Sequence, residues 1–182
     1  DYASYCVGWY YRYGKGVAQN SKKAFEYFSK TADSNIYSKF ELAELYLNGA
    51  SVYELIIPND VTYISDGVFQ NCSNITSVRI PKSLTKTGFG AFLGSRNIKD
   101  VYIEDLEAWC NIEFGTSGGN PIYNSNLYLN NELVTDLIIP DSVTSIDGGA
   151  FSDCSSLTSV VIGNSVTRIG YYAFDQCSSL TS

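Results

Sequence analysis

Apolar positions fall into two patterns along this chain. From Val52 to Ser182 the pattern is a short alternation followed by an irregular arc. Val160 and Ile162 alternate with Ser159 and Val161, as on a half-buried strand, so the first pair is read as inward and the second as outward. The next apolar residues, Val166, Ile169, Phe174 and Cys177, come at intervals of three to five, too uneven for a straight element. The same unit recurs at a fixed step: 92 − 69 = 23 between Phe69 and Phe92, and 23 again from Phe151 to Phe174 and from Cys154 to Cys177. A coil of 23 residues cannot bury its inner side chains alone. Successive coils stacked about 4.8 Å apart can. The expectation is a β-solenoid of about five 23-residue coils, with Phe69, Phe92, Phe151 and Phe174 in one internal stack.

One copy is longer. Val101 and Leu137 lie 36 residues apart, which is 23 plus an insertion of 13. The extra length falls around Trp109 to Phe114 and the glycine-rich stretch Thr116 to Asn120. It returns through Leu127 to Val134, a predicted hairpin turning at Asn130-Asn131, because Asn tolerates the positive φ of a two-residue turn. Cys110 aligns with Ile64 and Ile146, so this portion of the insertion is expected in the core. Trp109 is then read as packing over it rather than forming an exposed aromatic patch with Phe114 and Tyr123.

The first fifty residues obey a different period. Val7-Gly8-Trp9-Tyr10-Tyr11 matches Leu42-Ala43-Glu44-Leu45-Tyr46 at an offset of 35, and Gly14 matches Gly49. Ala24, Phe28 and Ala32 recur at helical spacing between them. A helical hairpin and the first helix of a second are predicted over 1–50, and the solenoid over 51–182. The fold class is an α+β repeat protein. The chain begins and ends inside repeats and is read as a piece of a longer protein, whose cut faces would favour self-association.

Composition narrows the chemistry. A net charge of −7 argues against a nucleic-acid partner, which needs a basic face. No apolar run reaches the roughly 20 residues of a membrane helix, so no membrane insertion is expected in this segment. With no His and no Cys-x-x-Cys spacing, metal sites, cofactors and the usual catalytic triads find no support. Catalytic, cofactor and metal residues are therefore expected to be none, and the five Cys are read as free, mostly buried thiols, including Cys154 and Cys177 on adjacent coils.

Recognition is expected on the outward strand positions. One column is Ile56, Arg79, Tyr102, Ile138 and Val161; its neighbour is Glu54, Ser77, Asp100, Asp136 and Ser159. Arg79 and Tyr102 are residue types common in binding hot spots.

Two phrases carry a resemblance. Ile-Pro-x-x-Val-Thr-x-Ile and Ala-Phe-x-x-Cys-x-x-Leu-Thr-Ser, over 52–182, resemble BspA-type (Treponema pallidum-type) leucine-rich repeats, with departures at Thr87 and Ser95 in the Ile and Cys slots. Gly14-Lys-Gly16-Val17, Lys22-Lys-Ala24 and Tyr27-Phe28-x-Lys30-x-Ala32 resemble a Sel1-like repeat. The first resemblance implies a non-catalytic adhesion module of a bacterial cell-surface or secreted protein, binding host, matrix or other-microbe proteins or glycans. The second implies, as an alternative, a cytoplasmic scaffold for a signalling complex. A fold does not by itself fix a function.

Overall fold

The computed structural model describes residues 2–13, 15–18, 23–24, 27–28 and 54–181. Its elements are, in chain order, α1 (Tyr2–Tyr13), β1 (Glu54–Ile56), β2 (Tyr63–Ile64), β3 (Ser77–Ile80), β4 (Lys86–Thr87) and β5 (Asp100–Ile103). There follow α2 (Leu106–Cys110), β6 (Asn126–Leu129), β7 (Glu132–Leu133), β8 (Asp136–Ile139), β9 (Ser145–Ile146), β10 (Ser159–Ile162) and β11 (Arg168–Ile169).

In the N-terminal stretch, Phe28 is buried, with its ring 5.9 Å from that of Tyr5. A Cβ on Gly8 would fall 2.6 Å from Phe28 Cε1, so the ring occupies space that only glycine leaves open. Residues 23–24 and 27–28 are helical. The first helix of a second hairpin, expected over 42–50, lies outside the described residues, and α1 with these few helical positions does not show a Sel1-like repeat.

From residue 54 the chain winds as a solenoid. β1, β3 and β5 pair in parallel with Leu55, Val78 and Val101 in one register row, all three fully buried. A second parallel ladder runs along the next side of each coil, joining β2 to β4 and β9 to β11. Between the ladders, backbone N–H groups reach carbonyls one coil on, as from Phe69 to Ala91 and from Phe151 to Ala173, each at 2.8 Å. Backbone polar groups of the irregular arc are thereby paired without any regular element.

Ser95, the departure in the Cys slot, bonds as a Cys does elsewhere in the array. Ser95 Oγ donates to the Phe69 carbonyl at 2.5 Å, and Cys177 Sγ donates to the equivalent Phe151 carbonyl at 3.0 Å. Ser95 Oγ also accepts from Cys72 N at 2.9 Å. At Ser95 and Cys177 the slot thus holds a small side chain that donates to the carbonyl of the Phe one coil earlier.

The Phe column is not continuous. Phe69 stacks on Phe92 (5.1 Å) and Phe151 on Phe174 (5.2 Å), as two separate pairs. The insertion separates them. Phe92 N donates to Gly118 O, which puts Gly119 where the next Phe would stand. Trp109 instead is buried beside coil four, its indole N–H donating to Ala150 O at 3.0 Å and its ring meeting Phe114 edge-on at 5.0 Å.

The insertion divides into a coil extension and a hairpin. The step from Asp100 to its neighbour Asn126 is 26 residues (126 − 100), so coil three is three residues longer than the others. The other ten, 126–135, form the β6–β7 hairpin and the link to β8. Its turn is at Asn130 (φ 52°) and Asn131 (φ 68°), as the sequence predicts. Thr87, one of the two departures from the repeat pattern, anchors the long coil: its N–H donates to Glu113 O at 3.0 Å and its hydroxyl accepts from Gly115 N at 3.1 Å. On the other side Cys110 O accepts from Asp147 N, so Cys110 is fully buried in the row of Ile146; toward coil two Glu113 bridges Lys86, which puts Phe114 rather than Cys110 in the row of Ile64 and Thr87, because the long coil shifts register between its two neighbours.

The five cysteines are free thiols; Cys72, Cys110 and Cys154 are buried and Cys6 and Cys177 are half-buried.

Candidate functional site

The hairpin changes which residues share the outward face. The sheet runs β1-β3-β5-β6-β7, and β8 pairs with β10 in a separate two-stranded sheet. Ile56, Arg79 and Tyr102 are neighbours as expected, but the residue beside Tyr102 is Tyr128, not Ile138. Ile138 pairs with Val161. Likewise Glu54, Ser77 and Asp100 are continued by Asn126, while Asp136 lies against Ser159. Each expected five-residue column is therefore broken after its third member. Aligning Leu137 directly with Val101 leaves the predicted hairpin outside the sheet, whereas its first strand, β6, pairs with β5.

Arg79 is held from three sides. Its Nε donates to Glu54 Oε1 at 2.7 Å, Nη1 donates to Asn131 Oδ1 at 2.8 Å, and the guanidinium carbon lies 4.3 Å from the centre of the Tyr102 ring. Tyr102 in turn stacks on Tyr128, centroids 4.6 Å apart and planes 21° from parallel. A planar cation over an aromatic face gains from the ring quadrupole, and the fork of Arg fixes its direction. The result is a preorganised row: Glu54, Arg79, Tyr102, Tyr128. The hairpin turn closes one end of it.

A cleft of about 500 Å³ opens beside this row, at the C-terminal ends of β1, β3 and β5. Ile56, Arg79, Lys82, Tyr102, Glu104 and Asn131 line it. Farther along, Leu133, Ile138 and Val161 are exposed at 48%, 66% and 58%, an apolar continuation of the same outward face.

The acidic groups of the neighbouring rows are paired among themselves. Asp100 accepts from Asn126 Nδ2 at 3.1 Å, and Asp136 accepts from the Ser159 and Thr135 hydroxyls, which hold its carboxyl below the usual range. The Tyr128 phenol is held above its ordinary value by lost hydration and by the nearby Asp100 charge. Among the described residues no cluster of His, Cys, Asp or Glu could hold a metal. Among the same residues no helix is long and apolar enough to cross a membrane.

Two residues of this surface escape a reading from repeats alone. Tyr128 has a signal, since Leu127-Tyr128-Leu129 repeats the form of Val101-Tyr102-Ile103 at the altered step of 26. Asn131 has none, because its bond to Arg79 spans 52 residues.

Comparison with known proteins agrees with the coil geometry. Six copies of the BspA type leucine rich repeat region match residues 43–115 and 122–182. The chain belongs to the BspA-type leucine-rich repeat family. The break in the match, 116–121, coincides with the glycine-rich stretch of the long coil, and the match begins at residue 43, inside the stretch whose periodicity is helical. Among solved structures, a leucine-rich repeat protein from Bacteroides ovatus is 22% identical, with a TM-score of 0.42, over 72% of this chain and 39% of that one. A leucine rich cell surface protein from Faecalibacterium prausnitzii is 25% identical, TM-score 0.36, over 71% of this chain and 46% of that one. The Treponema pallidum leucine-rich repeat protein is 16% identical, TM-score 0.34, over 71% and 78%. The chain thus spans less than half the length of the first two. No curated protein matches it.

Proposed function

We propose that this BspA-type repeat array is a non-catalytic protein-binding module, and that its contact surface is the outward face of the five-stranded sheet. The observation that carries this reading is the fixed Arg79–Tyr102–Tyr128 row. Side chains already held in place lose little entropy when a partner docks, and aromatic and Arg anchors dominate binding energies. Exposed Ile56, Leu133, Ile138 and Val161 extend the row with apolar area, and Glu54, Asp100, Glu132 and Asp136 flank it. Such a face suits a protein with an apolar centre and a basic rim.

Display at the cell surface, in an adhesive role toward host, matrix or microbial proteins, is the setting the family implies. The alternative is a cytoplasmic adaptor acting through residues 1–50 as a Sel1-like helical unit, with 51–182 as the leucine-rich array. The free thiols favour that setting, since reducing compartments keep cysteines unbridged. Antibody labelling of intact cells that make the protein, beside a permeabilised control, separates the two. Labelling of intact cells is expected, and labelling confined to permeabilised cells removes the surface reading.

A further inference from the structure

Coils three and four are stacked along their arcs but parted on the sheet side. Along the arcs Cys110 O accepts from Asp147 N at 2.8 Å, and Ser125 O accepts from Ser155 N at 3.0 Å. On the sheet side, β8 pairs with β10 and with no other described strand. The hairpin is the cause. β7 takes the outer edge of β6, where Val134 N donates to Leu127 O at 2.9 Å, while Leu127 N donates to Ser156 Oγ at 3.2 Å. The strand that would precede β8 in the stack is therefore already paired on both edges.

The open edge of β8 has a defined set of groups. Successive backbone N–H groups of a strand point to opposite sides, and Ser159 N donates to Thr135 O, so Leu137 and Ile139 serve β10. The N–H and C=O groups of Asp136 and Ile138 point the other way, toward no paired strand. In coil three the same positions, Asp100 and Tyr102, face β3, with Asp100 N on Thr76 O. Exposure agrees. The outward residues of β3 and β5 are half-buried, whereas Asp136 and Ile138 are exposed, Ile138 at 66%, although coils stand on both sides of theirs. β8 is a sheet edge inside the array, not at its end.

Unpaired backbone groups at strand spacing are a template for one more strand, so they select an extended polypeptide over a folded surface or a small molecule. Charge selects further. Between Lys99 and Arg168 the chain has no Lys or Arg, against ten Asp and Glu. Glu132 and Asp136 beside this edge are both exposed. The β8 edge of a second copy would set these carboxylates against like charge, which strand pairing disfavours. A basic segment meets no such cost.

We propose that the β8 edge takes an extended, basic segment of a partner protein as an added strand. Its inward side chains are apolar and continue the row of Leu137 and Ile139, and its outward ones include Lys or Arg beside Glu132 and Asp136. The inference rests on the reading of the array as a protein-binding module. It does not rest on the Arg79–Tyr102–Tyr128 row.

The test is titration calorimetry of the whole chain with the end-blocked heptapeptide Lys-Val-Thr-Val-Thr-Val-Lys. Two controls accompany it: the same peptide N-methylated through its central residues, and a version with Glu in place of Lys. Saturable binding of the first is expected, weakened about tenfold or more in both controls. Ile138→Pro deletes an N–H that no paired strand uses, at the kind of edge site where strands accept Pro, so its thermal midpoint should stay near that of the parent while binding weakens likewise. Ile138→Thr keeps the N–H and should bind as the parent does. So should Arg79→Ala/Tyr102→Ala, which separates this edge from the sheet face. No binding of the Lys peptide, equal affinity for its N-methylated form, or parent-like affinity in a folded Ile138→Pro variant overturns the proposal. Should Ile138→Pro not fold, the N-methylated peptide decides alone. A parent chain that sediments as a dimer and binds no peptide gives the edge to a second copy and also overturns it.

Discussion

Tyr102 stacks on Tyr128 at 4.6 Å across a parallel strand pair that the repeat spacing alone does not contain. The contact exists because the insertion adds a strand rather than a loop. A double-mutant cycle on Tyr102→Ala and Tyr128→Ala should give a coupling of about 0.5–1.5 kcal/mol, the usual value for a stacked pair. The same cycle on Tyr102 and Ile138 should give none. Urea denaturation of the single and double variants measures both.

The contrast shows how far the sequence reaches. The inward rows Leu55, Val78, Val101 and the slots of Phe69 and Cys72 are legible, because a coil that buries nothing alone must repeat its apolar positions at a constant step. The hairpin turn is legible too, from the conformational preference of Asn. What was not legible is where 13 extra residues go. Three lengthen a coil and ten make a hairpin, and only that partition decides whether Tyr102 meets Tyr128 or Ile138. The single Phe stack fails for the same reason, since Gly119 replaces the ring and Trp109 arrives from α2.

Ser95→Ala should destabilise the chain by about 1–3 kcal/mol, because it leaves the Phe69 carbonyl and Cys72 N–H buried without their partner. Ser95→Cys should recover much of that loss, since Cys serves the same carbonyl at Cys177. Equal destabilisation by Ala and Cys would show that the slot selects size alone. Thermal and urea midpoints of the two variants decide it.

Glycines of the long coil and its neighbour should differ in kind. A Cβ on Gly115 would stand 2.1 Å from Gly88 O, so Gly115→Ala must push adjacent coils apart, at a cost of about 1–3 kcal/mol. Gly149 has nothing within 4 Å of its Cβ, and Gly149→Ala carries only the penalty of its φ of 70°, about 1 kcal/mol. Chemical denaturation should rank them in that order.

Burial pushes the Cys72 and Cys110 thiols up to about 12 from an ordinary value of 9.0. Below pH 9 both folded and unfolded chains keep these protons, so stability does not depend on them. Between about 9 and 12 the unfolded chain ionises first and binds fewer protons, so stability falls as pH rises. Iodoacetamide at about pH 8 should therefore spare Cys72 and Cys110 in the native chain and label both in denaturant. Fast native labelling of either would contradict their burial.

The sheet face itself is tested most directly by binding. Immobilised parent chain and the Arg79→Ala/Tyr102→Ala variant are exposed to one panel of matrix and cell-surface proteins, with thermal midpoints measured in parallel. The Arg79–Glu54 ion pair is exposed and contributes only about 0–1 kcal/mol, and losing the Tyr102–Tyr128 stack costs about 0.5–1.5 kcal/mol more, so the variant should remain folded. The expected result is a partner held by the parent and weakened about tenfold or more by the variant, at little change in midpoint. Unchanged affinity in a folded variant would contradict the assignment of the Arg79–Tyr102–Tyr128 row as the contact surface.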